Sequence, residues 1–156
     1  MYYFMKKNLS KACFVLSAFM LFGCGSKTQM SLYRRTFENG KNVETMKEGE
    51  KSEKDIYYTS VMALSNDNND YEIEAKDFEL VMNGNTYTCL YFINEWSSFS
   101  IKVNGQETKV SYLVSKQDKE MVNHGDTATS VWCAFDVEPL EDFSLNYKGE
   151  TINFLN

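Results

Sequence analysis

Histidine, arginine, proline and cysteine are scarce in this chain. Its 156 residues include one histidine (His124), two arginines (the adjacent Arg34 and Arg35), one proline (Pro139) and four cysteines. Nucleic acid is therefore not expected as a partner, because binding it takes several clustered Lys or Arg to displace counterions from phosphates. One histidine and two core-phase cysteines do not make a tetrahedral metal set. Asp126 and Ser130 are sequence neighbours of His124 in a turn, and such neighbours do not converge in catalytic geometry. The expectation is a protein with no metal, no cofactor and no enzymatic activity. The longest apolar run, residues 12–22, is about half of the ~20 residues that a bilayer-spanning helix needs.

That short run carries the most information in the sequence. Lys6, Lys7 and Lys11 precede it, and a basic segment followed by a short apolar one is the pattern of an export signal. It ends at Leu21-Phe22-Gly23-Cys24, which resembles a bacterial lipobox, with leucine at −3, glycine at −1 and the cysteine that receives the lipid. Phe22 departs from the small or aliphatic residue usual there. The expected arrangement is a signal peptide over residues 1–23 and a lipidated Cys24, anchoring the chain on the extracytoplasmic face of the cell membrane. An uncleaved signal anchor is the alternative. One acyl chain binds marginally at about 0.8 kcal/mol per buried CH₂, whereas the two or three of a bacterial lipoprotein hold. Loss of the three lysines with the signal takes the formal charge from −6 to −9, which favours solubility and disfavours polyanions.

Residues 24–55 are mostly polar, and residues 47–55 contain no apolar side chain. They are read as a linker reaching roughly 30 Å, with a first strand or a short helix at residues 32–37. From Ile56 the chain alternates with period 2, through Ile56, Tyr58, Met62 and Leu64, then Tyr71, Ile73 and Ala75, then Phe78, Leu80 and Met82. Asn83-Gly84 and Asn104-Gly105 are type I′ hairpin signals, since both central residues need positive φ. Tyr87, Cys89, Tyr91 and Ile93 are read as one face and Phe99, Ile101 and Val103 as the next, with residues 94–98 as a loop between them. A polar loop is expected at residues 115–127, with one helical turn at residues 118–122. Val131, Cys133, Phe135 and Val137 form a buried strand ended by Pro139. Phe143, Leu145 and Tyr147 precede a turn at Lys148-Gly149. The fold class is all-β, a sandwich or barrel of seven to eight strands over residues 56–156.

Residues 57–154 resemble a family of small Gram-positive lipoproteins with an immunoglobulin-like domain of unassigned function. The likeness is carried by Val61-Met62-Ala63-Leu64-Ser65-Asn66, by Asp77-Phe78-Glu79-Leu80 with Asn83-Gly84-Asn85-Thr86-Tyr87, by Asn123-His124-Gly125-Asp126 leading to Ala134-Phe135-Asp136-Val137, and by Leu145-Asn146-Tyr147. His124 stands where the family usually has proline, and Glu138 intervenes before Pro139. The resemblance implies an immunoglobulin-like β-sandwich and brings no catalytic residue with it.

Cys89 and Cys133 admit two readings. An exported chain permits a disulfide between them, worth ~4 kcal/mol in the chain-entropy model; otherwise they are buried thiols acting as small hydrophobes. Trp96, His124 and Asp126 are the candidate binding surface. Tyr91 and Phe99 are assigned to the core. Asp67, Asn69 and Asp70 form an Asx turn rather than a calcium loop, which would need the glycine and trailing glutamate of an EF-hand. Glu138, Glu141 and Asp142 read as a surface loop. The function expected is a membrane-tethered, non-enzymatic interaction module meeting an envelope or extracellular protein. The alternative is an inhibitor or immunity-type factor whose acidic surface blocks a secreted enzyme.

Overall fold

The computed structural model describes residues 29–35, 43–49, 54–140 and 142–154. The signal segment and Cys24 lie outside the described residues. Every extended element is β, and helix is confined to a single 3-10 turn at Ala75–Asp77 among the described residues.

The architecture is organised by β3 (Asp55–Ser65), eleven residues rich in β-branched and aromatic side chains. One edge of β3 pairs antiparallel with β10 (Thr129–Phe135) from Tyr57 to Ala63. A strand has only two edges, so its other edge is shared end to end. There β2 (Glu44–Lys47) takes Asp55 to Tyr58 and β1 (Met30–Arg34) takes Val61 to Ser65. The stretch read as a polar linker thus supplies two strands, and β1 begins only six positions after Cys24.

Beyond β10 lies a long hairpin of β7 (Tyr91–Val103) and β8 (Gln106–Gln117), and β8 touches β2 in parallel at Lys47↔Tyr112. The sequence of pairings β3-β10-β7-β8-β2-β3 closes on itself, so the large sheet curls into a ring. A second sheet, ordered β12 (Glu150–Thr151), β11 (Phe143–Tyr147), β5 (Phe78–Met82), β6 (Asn85–Thr88), lies across its outer face. A ribbon of β4 (Tyr71–Glu74) and β9 (Lys119–Val122) stands beside them, so the expected helical turn at residues 118–122 is a strand. β13 (Asn153–Phe154) pairs in parallel with β1.

Alternation along the ring strands sorts side chains into two cores. Val61 and Ala63 of β3, Cys133 and Phe135 of β10 and Phe92 of β7 face the second sheet and meet Phe78, Leu80 and Leu145. Ile56 and Tyr58, Ala134, and Tyr91 and Ile93, from the same three strands, face into the ring with Met46. Phe78 sits between Phe92, edge-on at 5.6 Å, and Tyr147 at 4.8 Å. Thr59 and Ser60 are fully buried at the middle of β3, where the sheet is covered on both faces and small side chains fit. Arg34 closes the β1 edge: its guanidinium lies over the rings of Phe143 (4.2 Å) and Phe154 (4.3 Å) and donates to the Phe143 carbonyl at 3.4 Å. Burial lowers its pKa.

Three tight hairpin turns among the described residues place a residue and its following glycine in the left-handed region: Asn83-Gly84, Asn104-Gly105 and Lys148-Gly149. The fold is all-β, in a sandwich-like arrangement with one layer curled. Phe78→Ala should cost about 3–5 kcal/mol, the range for truncating a buried phenylalanine, read as a lower midpoint in urea with unchanged slope; a loss under about 1 kcal/mol would show that the inter-sheet core is not the stabilising one.

Candidate functional site

The most distinctive surface is the outer half of the β7–β8 hairpin. From residue 98 to residue 109 every position is exposed, so both faces of the ribbon stand in solvent and the hairpin forms an arm. Among the described residues, β10 reaches only Tyr91 and Phe92 of β7, and β2 reaches only Tyr112 of β8.

Two bulges aim this arm. Ile93 pairs with Lys116, Glu95 with Ser115 and Trp96 with Leu113, so one extra residue enters β7 (Asn94) and one enters β8 (Val114). An extra residue reverses which face a strand's side chains take. Inside the ring the inward phase of β7 is odd (Tyr91, Ile93); after the bulge it is even, and Trp96 turns inward with Leu113. The expected loop at residues 94–98 is instead this bulged strand. The same reversal overturns the assignment of Phe99 to the core. Phe99, Ile101 and Val103 continue the odd phase of Tyr91 and Ile93, yet they emerge outward, Phe99 at 51% exposure.

On the arm, Phe99 faces Val110, Ile101 faces Thr108 and Val103 faces Gln106 across the strands. Phe99, Ile101, Val103 and Val110, with Tyr112, whose ring centre is 6.0 Å from that of Phe99, form an apolar stripe on this face. At its base is a cavity of about 400 Å³ lined by Lys47, Gly49, Phe99, Val110 and Tyr112. The reverse face is polar, with Ser98, Ser100 and Lys102 opposite Ser111, Lys109 and Glu107.

Trp96 is half-buried at the arm's root, its ring 6.4 Å from Tyr58 and 5.5 Å below the Lys109 ammonium. It is therefore part of the ring's core. Tyr58 donates its hydroxyl to the Glu44 carboxylate, and burial, then this bond, raises its pKa. The Tyr91 hydroxyl is buried, with no hydrogen-bond partner among the described residues. Burial first, then the Glu48 charge, pushes it up to about 12. Lys116 lies 4.7 Å over the Tyr91 ring and pairs with Glu48 at 3.1 Å.

His124 and Asp126 occupy different surroundings, in the turn between β9 and β10. The His124 backbone N–H donates to Asp70 at 2.8 Å and its Nδ1 lies 2.6 Å from the same oxygen. Asn123 donates to Asp126 at 3.2 Å. The pair joins the Asx turn after β3 to the turn before β10. Asp67 of that turn accepts from the Tyr71 hydroxyl and the Asn69 N–H. Among the described residues no group of three or more His, Cys, Asp or Glu is placed to hold a metal ion.

Cys89 and Cys133 are both free thiols, buried in the inter-sheet core. Cys89 does not share a face with Tyr91: it lies between β6 and β7 on the opposite side of the sheet, because Leu90 and Tyr91 carry the chain around the corner into β7. Its thiol donates to the Tyr91 carbonyl at 3.2 Å, and burial raises the Cys133 pKa. Comparison of the chain with family models, with curated proteins and with solved structures gives no match.

Two predictions separate these residues. Trp96→Ala should destabilise the protein by about 3 kcal/mol through the ring core, while Phe99→Ser on the arm should leave stability within about 0.5 kcal/mol; equal losses in denaturant titrations would refute the division. The His124 N–H, then its ring, holds Asp70 below the usual carboxylate range. A depressed folded pKa means that the contact is fully present above the ordinary value of about 3.9 and is lost as pH falls through the lower, folded one. The protection factor of the His124 amide, the intrinsic exchange rate at each pH divided by the observed one, should therefore hold at pH 5 and fall as pH drops through Asp70's folded pKa, and Asp70→Asn should remove that step.

Proposed function

We propose that this protein is a lipid-tethered, non-enzymatic interaction module of the bacterial cell envelope, and that it makes its contact there through the β7–β8 arm. The observation that carries the reading is the conjunction of a lipobox-like Leu21-Phe22-Gly23-Cys24 with a β domain bearing an exposed apolar stripe on a projecting hairpin. Single exposed hydrophobes are ordinary on protein surfaces, but contiguous apolar patches mark interaction sites. The resemblance to small Gram-positive lipoproteins with an immunoglobulin-like domain supports the same reading, and an all-β, sandwich-like body is compatible with it.

The tether is short in this scheme. Six positions separate Cys24 from Met30, the first residue of β1, and at full extension they span about 20 Å. The linker of roughly 30 Å expected from the polar composition shrinks accordingly, because β1 and β2 take up part of it. A module held this way works at the membrane surface.

The test is mass analysis of the mature protein from its native host, with cell fractionation. A chain beginning at Cys24 with diacylglycerol or three acyl chains, recovered with membranes and released to the soluble fraction by Cys24→Ser, is the expected result. A cytosolic product retaining Met1 and lacking acyl mass would overturn the reading.

A further inference from the structure

The arm's apolar stripe and the first residue of the folded domain point toward one end of the molecule. β1 runs antiparallel to β3 with Met30 opposite Ser65, so the chain enters the domain at the C-terminal end of β3. β10 is antiparallel to β3, and β7 is antiparallel to β10, so β7 runs in the direction of β3 and its tip points toward that same end. The other way around the ring agrees: β2 is antiparallel to β3, β8 is parallel to β2, and β8 therefore starts, at Gln106, on the Ser65 side. Lipid at Cys24, about 20 Å or less from Met30, would bring this end to the bilayer.

We propose that the arm docks on the lipid bilayer itself, with Phe99, Ile101 and Val103 entering the interfacial region and Asn104-Gly105 leading. This rests on the tether proposed above and names what the arm meets. Three observations converge on a lipid surface. The tether leaves too little chain to carry the arm far from the headgroups. The stripe runs out along β7 to Val103, beside the Asn104-Gly105 turn, and the exposed stretch around it carries two lysines, Lys102 and Lys109, against one glutamate, Glu107, in a chain that is otherwise acidic. Asp67, Asp70 and Asp126 at the same end are each hydrogen-bonded within the protein, by Tyr71, His124 and Asn123, and keep their negative charge. The contact is apolar rather than an attraction to anionic lipid, since the domain's net negative charge would oppose the latter. A tether and a second, weak apolar contact reinforce each other because the tether fixes a high local concentration. Together they would hold the domain in one orientation, with the β7 start and the loop after β10 facing away from the membrane.

The probe is the acylated, full-length mature protein reconstituted into phosphatidylcholine vesicles, with and without bromine-labelled phosphatidylcholine. Phe99→Trp reports from the stripe, and Leu90→Trp, also an exposed site, reports from the opposite end of β7. Each is read as a difference from the parent protein. Docking predicts blue-shifted emission for the tryptophan at position 99 and its loss to the brominated lipid, with neither effect at position 90. No shift and no quenching at position 99 in protein of confirmed acyl mass would overturn the arm contact and leave the tether standing. A blue shift that grows with protein density and resists the brominated lipid would mean that a second copy or another protein covers the stripe, and would overturn it too. Absence of acyl mass would remove the tether and the docking together, and the mass measurement tells that failure from the others.

Discussion

The rest of the structure depends on β3 being saturated. It is hydrogen-bonded along one edge to β10 and along the other to β1 and β2 in succession, and both of its faces are packed. Buried backbone polar groups must be paired, and the middle of the domain meets that requirement by surrounding one eleven-residue strand with three others. The curl of the large sheet follows. β2 and β10 flank β3, and the β7–β8 hairpin bridges between them, so the sheet closes on the Tyr58–Trp96 side and leaves its outer face to the second sheet. The two cores are therefore two faces of the same strands, and a change in β3 is felt in both.

Much of this was readable from local chemistry. Asn83-Gly84, Asn104-Gly105 and Lys148-Gly149 announce their hairpins because left-handed backbone at two successive positions narrows the choice of residues. The alternation in residues 131–135 gives β10 and its buried face. What escaped did so for definable reasons. β2, and the choice of strand over short helix at β1, are obscured in a stretch whose composition is that of a solvated linker; a short strand at a sheet edge buries few side chains, so its apolar signal is weak. β9 was hidden because Lys119 and Glu120 are the polar pattern of a ribbon whose partner, β4, lies almost fifty residues away.

The site was less legible than the fold, and the bulges explain why. Tyr91, Ile93, Phe99, Ile101 and Val103 look like one stripe in the sequence, and a regular strand would bury all of them. Asn94 carries no strong local signature of an inserted residue, so the reversal that sends Phe99 outward and Trp96 inward emerges only from pairing with β8. Trp96 has the polar neighbours Glu95 and Ser97, yet it is the residue that the reversal takes into the ring. His124 and Asp126 are candidates by chemical type alone, and their turn serves to join two loops. The signal that would have found the arm is its length: two strands meeting at Asn104-Gly105 with more residues than the body needs.

Because Asn94 and Val114 are inserted on either side of the Glu95–Ser115 pair, each strand changes phase once and their cross-strand partners stay matched beyond them. Everything distal to that point is a two-residue repeat decoupled from the packing below it. Adding or deleting one residue pair in each strand near Asn104-Gly105 would lengthen or shorten the reach by about 6.6 Å and keep the greasy side greasy. A single-residue change in one strand would instead invert the stripe and offer serines and lysines where Phe99 had been. Reach and polarity of the projection are thus separately adjustable, and neither adjustment passes through the cores that keep the protein folded.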